Sequence, residues 1–197
     1  MRELTSHQQE DALGRMRDVL QEDFLLLQVE RYQFSEILSE QRCVFSGVVR
    51  QAPDGPEFTV EGSGVGLIDA FFSGLIHHFA SDHPSLSALR FTSFAVRGLM
   101  AETRQSTATD AKAQADVGVT NSYGREFVFR SITPSVTWSS LDAVVSAVEY
   151  FVNSERAYRR IQKALDHYRA QGRSDLVAKY TDLLAEMVRN TSYSEIR

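Results

Sequence analysis

One pattern limits the folds open to this chain more than any other: its middle is written twice. GPEFTV at 55–60 returns as GREFVF at 124–129. Around each copy the same order of elements can be read. In the first pass, Phe24–Glu36, Cys43–Arg50 and Glu57–Glu61 read as strands, rich in β-branched and aromatic residues. The turn Ala52-Pro53-Asp54-Gly55-Pro56 makes the last two a hairpin. A helix follows, with Leu67, Ile68, Phe71, Phe72, Leu75, Ile76 and Phe79 at helical spacing. In the second pass the strands are Leu89–Leu99, Ala111–Thr120 and Glu126–Ile132, with a polar loop at Ala101–Thr109. Its helix is expected to begin at Thr133-Pro134, with Thr133 as N-cap and Pro134 first, and to bury Val136 to Val152. The period is about 70 residues. A second echo, D-A-x-x-S at Asp69 and at Asp142, needs a different offset. Duplicated βββα units predict an α+β fold: antiparallel sheet with two helices covering one face.

The flanks are helical. Residues 1–22 are polar with Leu13, Met16, Val19 and Leu20 at amphipathic spacing. Beyond residue 153, one helix stops at Gly172, a good C′ residue, and Ser174-Asp175 can cap a second. That second helix carries a stripe of Leu176, Val177, Tyr180, Leu183, Leu184 and Met187. A hairpin is the simplest reading. The alternative is that the second βββα helix runs on to Gln171. Arg156, Arg159, Arg160 and Lys163 read as a solvated face. The expected division is therefore 1–22, 23–153 and 154–197.

Composition excludes several classes. The 197 residues carry a net charge of −5, and no long Lys/Arg run offers a nucleic acid a basic face. No apolar run approaches the ~20 residues of a membrane span. The single cysteine, Cys43, lies in an apolar run and reads as core. A reducing cytoplasm is the expected compartment. His77, His78, Asp82 and His83 invite a metal reading, but adjacent helical positions point about 100° apart and cannot share one ion. No metal, cofactor or catalytic constellation is expected.

The stretch EGSGVGLIDAFF concentrates the functional signal. Gly62, Gly64 and Gly66 sit between the third strand and the first long helix. A dinucleotide fingerprint would need glycine where Leu67 stands. Two readings stay open. The glycines form a tight turn that lets helix and strand pack closely. Or the turn opens a small-ligand pocket where backbone N–H groups meet an anion.

EGSGVGLIDAFFSGL resembles the first helix motif of the C-terminal regulatory domain of the α-isopropylmalate synthase and citramalate synthase family. Gly64, Gly66, Ile68, Asp69 and Ala70 carry the match. HPSLSALRFTSFAVR is similar to that domain's P-x-L-x-x-(I/L)-x-L-x-D-Y-x-V-R strand, and TDAKAQADVGV to its T-D-A-K segment. Glu126–Tyr150 resembles its closing strand and helix. Leu67 replaces the motif's proline, Ser93 its strand aspartate, and Ser131-Ile132-Thr133 its Gly-Val-Ser turn. The family's catalytic barrel, about 250 residues, has no room here. The resemblance thus implies a free-standing, non-catalytic regulatory domain and a homodimer, with no acyl transfer. It implies a ligand such as a branched-chain amino acid or 2-oxo acid near Gly62, Gly64, Gly66, Ile68, Asp69, Ser131 and Thr133, and a partner enzyme. The competing reading is an assembly module that kept the dimer fold and lost the ligand.

Overall fold

The computed structural model describes residues 6–99 and 112–190. The elements run α1 (Ser6–Leu20), β1 (Leu27–Ile37), β2 (Arg42–Gln51), β3 (Glu57–Gly64), α2 (Leu67–Phe79), β4 (Arg90–Leu99), β5 (Lys112–Thr120), β6 (Glu126–Thr133), α3 (Val136–Ala170) and α4 (Ser174–Asn190). The polar loop expected at Ala101–Thr109 lies outside the described residues.

The strands form two three-stranded antiparallel sheets, β1-β2-β3 and β4-β5-β6, each a meander. The duplication survives in the details. Starts of β3 and β6, and of α2 and α3, are each 69 residues apart. The GPEFTV echo therefore marks the true equivalence. The D-A-x-x-S echo is displaced by one helical turn, and Asp69 corresponds to Trp138. Both first strands also carry a β-bulge at one place: the register slips between Val29 and Arg31 against β2, and between Phe91 and Ser93 against β5. A bulge breaks the two-residue alternation and re-aims the side chains after it.

Each helix covers its own sheet. Phe45 of β2 meets Phe71 of α2 with ring centroids 4.7 Å apart, and Phe127 of β6 meets Phe151 of α3 at 5.1 Å. All four side chains are buried, and each contributes about 1.5–3 kcal/mol of apolar transfer. The helices then reach across. Phe72 of α2 lies 6.0 Å from Phe91 of β4. Glu149 and Asn153 of α3 hold the start of β1: Glu149 accepts from the Leu27 N–H at 2.5 Å, and Asn153 both accepts from and donates to the Leu25 backbone. The expected antiparallel sheet with covering helices is present as two three-stranded sheets, with no backbone ladder between them among the described residues, joined through the two helices.

Glycine is required where β3 meets α2. A Cβ on Gly62 would overlap the Ala70 carbonyl oxygen and stand 2.8 Å from the Gly74 nitrogen. Gly74 returns the constraint, since its own Cβ would lie 2.8 Å from the Glu61 oxygen. These are backbone obstacles and cannot swing aside. Gly62→Ala is expected to cost about 1–3 kcal/mol, an overpacking penalty, read from the urea midpoint. Gly66→Ala has open space around its Cβ and an extended φ of −159°; it is the matched control, expected to leave the midpoint nearly unchanged. Equal effects at the two positions would refute this packing account.

The second helix starts later than expected. Thr133 is the last residue of β6, and Ser135 is the N-cap whose hydroxyl accepts from the Trp138 N–H. Thr133 is occupied: its Oγ1 donates to the Ser135 carbonyl at 2.8 Å. From Val136 the helix runs 35 residues without a break. Asn153 and Ser154, a natural place to end it, are buried inside it. The 153/154 division therefore falls within one element. The helix stops at Ala170, and Gly172 takes a left-handed φ of +68° before α4.

Arg159, Arg160 and Lys163 are exposed as a solvated face would be, Arg156 is half-buried, and three of the arginines also clamp neighbouring segments. Arg156 donates to the Asp23 carbonyl at 3.1 Å. Arg160 reaches the Leu20 carbonyl at the end of α1 and the Asp23 carboxylate at 2.7 Å. Arg159 donates to the Asp82 carbonyl at 3.0 Å and pairs with Glu155 at 2.5 Å. Glu155, fully buried, accepts from the Ser85 N–H at 3.2 Å and from the Ser85 hydroxyl, with His83 Nδ1 at 3.8 Å. The middle of α3 thereby fixes both segments that lead into the edge strands, β1 on one side and β4 on the other.

Candidate functional site

The start of α2 opens onto a cleft of about 370 Å³. Val65, Gly66, Leu67, Ile68 and Asp69 form one wall. Phe91 and Phe94 of β4 form a second, and Val136, Thr137 and Ser140 in the first turns of α3 close it. The β4 bulge is what places Phe91 and Phe94, three residues apart, on the same cleft.

Gly66 is the N-cap of α2 and has no side chain to bond the first turn. Asp69, at the third helical position, reaches back instead and accepts from the Val65 N–H at 3.0 Å. The bond reaches one residue beyond the N-cap and ties the glycine turn to the first helical turn. One carboxylate oxygen is spent on the turn; the other accepts no hydrogen bond among the described residues. The lining is otherwise apolar, apart from the Thr137 and Ser140 hydroxyls. Ser140 already bonds the Val136 carbonyl at 2.7 Å. The first N–H groups of α3 have no intrahelical acceptor and carry the positive end of its dipole.

The seven residues singled out from sequence therefore separate. Gly66, Ile68 and Asp69 line the cleft. Gly62 and Gly64 lie behind it, against the backbone of α2: a Cβ on Gly64 would stand 2.8 Å from the Ala70 nitrogen. The two readings of the glycine turn thus apply to different glycines. Gly62 and Gly64 allow close packing, whereas Gly66 leaves open space. Ser131 and Thr133 are buried under α3. Ser131 donates to Asp142 at 2.7 Å, and neither residue lines the cleft. Their place is taken by Val136 and Thr137, because the helix begins at Val136. Phe91 and Phe94 were missed although they lie in a strand motif, since strand alternation alone puts them on opposite faces.

Apolar side chains stay exposed along both edge strands, at the cleft and beyond it. Tyr32 and Phe34 of β1, and Phe94 and Val96 of β4, are 38–47% exposed. Among the described residues no group of three His, Cys, Asp or Glu side chains could hold a metal, and no helix is long and apolar enough to cross a membrane. No curated protein matches the chain. The family model of the LeuA allosteric (dimerisation) domain matches residues 8–152. That segment takes in all six strands, α2, the cleft, most of α1 and the first half of α3. The duplicated architecture and the regulatory-domain match agree, and the chain belongs to the LeuA allosteric (dimerisation) domain family.

Proposed function

We propose that this chain is a non-catalytic regulatory module that forms a homodimer and senses a small amino acid in the cleft beside Gly66. The observation that carries the reading is the make-up of that cleft. A single half-free carboxylate, Asp69, stands on an apolar wall of Ile68, Phe91, Phe94 and Val136, facing the start of a long helix. An ammonium group pairs with Asp69, a carboxylate with the N–H groups opening α3. A branched side chain fills the apolar wall, which is needed because a helix end alone gives only about 0.3–1 kcal/mol for an anion. A branched-chain amino acid fits this set better than its 2-oxo acid, which brings no cation to Asp69.

The homodimer reading rests on the family and on the edges. β1 and β4 are long edge strands with exposed aromatic residues, and an unpaired apolar edge is a pairing surface. A symmetric pair is the commonest way to cover it. The regulated partner is an enzyme of the same metabolic chemistry, acting on a separate polypeptide or domain.

Calorimetry with L-leucine, L-isoleucine, L-valine and their 2-oxo acids tests the sensing, with light scattering on each sample for the dimer. At least one amino acid is expected to bind saturably. Gly66→Val, which projects a side chain into open cleft space, is expected to weaken it at least about tenfold, or 1.4 kcal/mol, without lowering the unfolding midpoint. A dimer that binds none of the six compounds would replace this reading with an assembly module that has lost its ligand.

A further inference from the structure

The sheet β4-β5-β6 has two faces. One packs under α3 and buries Ala115, Val117 and Val119 of β5 with Phe127 and Phe129 of β6. The alternate side chains, Arg97, Lys112, Asp116 and Arg130 among them, form the other, outer face. Three polar groups converge there on Asp116. It accepts from an Nη of Arg97 at 2.9 Å, from Nε of Arg130 at 2.7 Å and from the Gln114 amide at 3.0 and 3.1 Å. Burial alone would raise the Asp116 pKa, but hydrogen bonds from Arg130, Arg97 and Gln114 hold it below the ordinary carboxylate range. Asp116 is therefore ionised and its oxygens are occupied. Two guanidinium groups share this one carboxylate and remain 60% and 54% exposed.

The charged side chains described on this face are Arg90, Arg97, Lys112 and Arg130 against Asp116 and Glu126. The face is net positive on a chain of net charge −5. The duplicated sheet shows that the fold does not require this. At the 69-residue offset of β3 and β6, Arg130 stands where the first sheet has Glu61. Across the same register, Asp116 corresponds to Ser46 and Arg97 to Ser35. The first sheet forms its ladders without the triad, and exposed ion pairs add little to stability. Its outer face is balanced: Arg31, Arg42 and Arg50 stand against Glu30, Glu57 and Glu61, with Arg50 bridging Glu30 at 2.9 Å and Glu57 at 2.5 Å. The surplus of arginine is thus particular to the second sheet and turned to solvent.

We propose that the outer face of β4-β5-β6 docks an acidic stretch of a partner polypeptide, with Arg97 and Arg130 each gripping a carboxylate as a planar donor fork. Arg130 meets Asp116 through Nε, so neither of its Nη groups has a partner among the described residues. Arg97 uses one Nη and keeps its other guanidinium nitrogens. Asp116 lies between the two, so a small anion reaching both would sit against its carboxylate. An acidic chain avoids this by placing separate carboxylates over β4 and β6, about 10 Å apart at about 4.8 Å per strand. A second copy does not fit, because a symmetric contact would set this positive face against itself. Nucleic acid does not fit either, since its dense phosphates would meet a chain that is acidic overall. Ser93, Ala95 and Gly118 keep the face flat, and Ile132, 47% exposed, adds an apolar contact. None of these residues lines the cleft beside Gly66, so the proposal does not depend on a ligand there.

The probe is fluorescein-labelled poly-L-glutamate, titrated with the full chain in low salt and followed by anisotropy. Saturable binding is expected, weakening as salt screens the contact. Arg97→Ser, which copies the first sheet, and Arg130→Gln each leave Asp116 one arginine and Gln114. Each is expected to weaken binding at least about threefold, and the two together at least about tenfold. Urea midpoints close to the parent's show that the single variants fold. Arg31→Gln with Arg42→Gln removes as many charges from the first sheet's outer face and is expected to leave binding within about twofold. Absence of binding in low salt overturns the proposal. So does an equal loss in the Arg31→Gln, Arg42→Gln protein, which would mean general attraction without a site. Tighter binding of an oligothymidylate of matching charge, lost in the Arg97 and Arg130 variants, also overturns it by assigning the face to nucleic acid.

Discussion

Replacing Glu155 with alanine is expected to destabilise the protein by about 3–5 kcal/mol, the cost of removing one partner from a buried ionic cluster. Glu155 has no exposed surface, and three groups converge on it: Arg159, His83 and both donors of Ser85. Truncation leaves the Ser85 N–H unpaired within the protein and frees Arg159 from its carboxylate anchor. It also loosens the segment leading into β4. Urea unfolding measures the loss, and Glu155→Gln, which still accepts from Ser85, is expected to lose less. Burial alone would raise the Glu155 pKa, but the neighbouring His83, the hydrogen bonds from Ser85 and the charge of Arg159 hold it below the ordinary carboxylate range. A depressed pKa contributes stability above the unfolded-state value and loses it as pH falls through the folded one. The gap between parent and Glu155→Ala is therefore expected to narrow in acid. A loss under about 1 kcal/mol at neutral pH would show that the cluster is not holding α3 to β4.

The opposite sign is expected at Glu149, earlier on the same helix. Burial pushes its carboxyl up to about 7, against the Leu27 N–H that stabilises the ionised form; Asp142 raises it further and Arg17 lowers it. A raised carboxyl pKa means the folded state binds the proton more tightly than the unfolded chain. Stability then falls as pH climbs from the unfolded value near 4.5 to the folded value near 7, and the penalty is complete above that. A shift of this size corresponds to about 3 kcal/mol at 1.36 kcal/mol per unit. Glu149→Gln keeps an oxygen for the Leu27 N–H and removes the charge. It is expected to raise stability by about 2–3 kcal/mol at pH 8, and to change it little at pH 4. Denaturant titrations at the two pH values check this. A glutamine variant no more stable than the parent at pH 8 would mean the carboxylate is well solvated.

The sequence by itself determined the order and type of the elements, because each rests on local periodicity. Phe58 and Val60 alternate, Phe71, Phe72 and Leu75 recur at helical spacing, and Gly172 ends a helix wherever that helix packs. The GPEFTV and GREFVF echo carried the duplication, and the glycine turn carried Gly66, Ile68 and Asp69, all within eight residues of Gly62 in the chain. Tertiary structure alone decided what stands across from them. Asn153 reads as a helix breaker until Leu25, 128 residues away, satisfies its amide. Arg156 and Arg160 read as charges on a helix surface, and only the fold shows that they also hold the carbonyls of Asp23 and Leu20. The two bulges leave no mark in the sequence, because a one-residue slip depends on the partner strand's register. That slip brings Phe91 and Phe94 onto one cleft. A strand's own sequence specifies that its side chains alternate; only the neighbouring strand fixes where the alternation is broken.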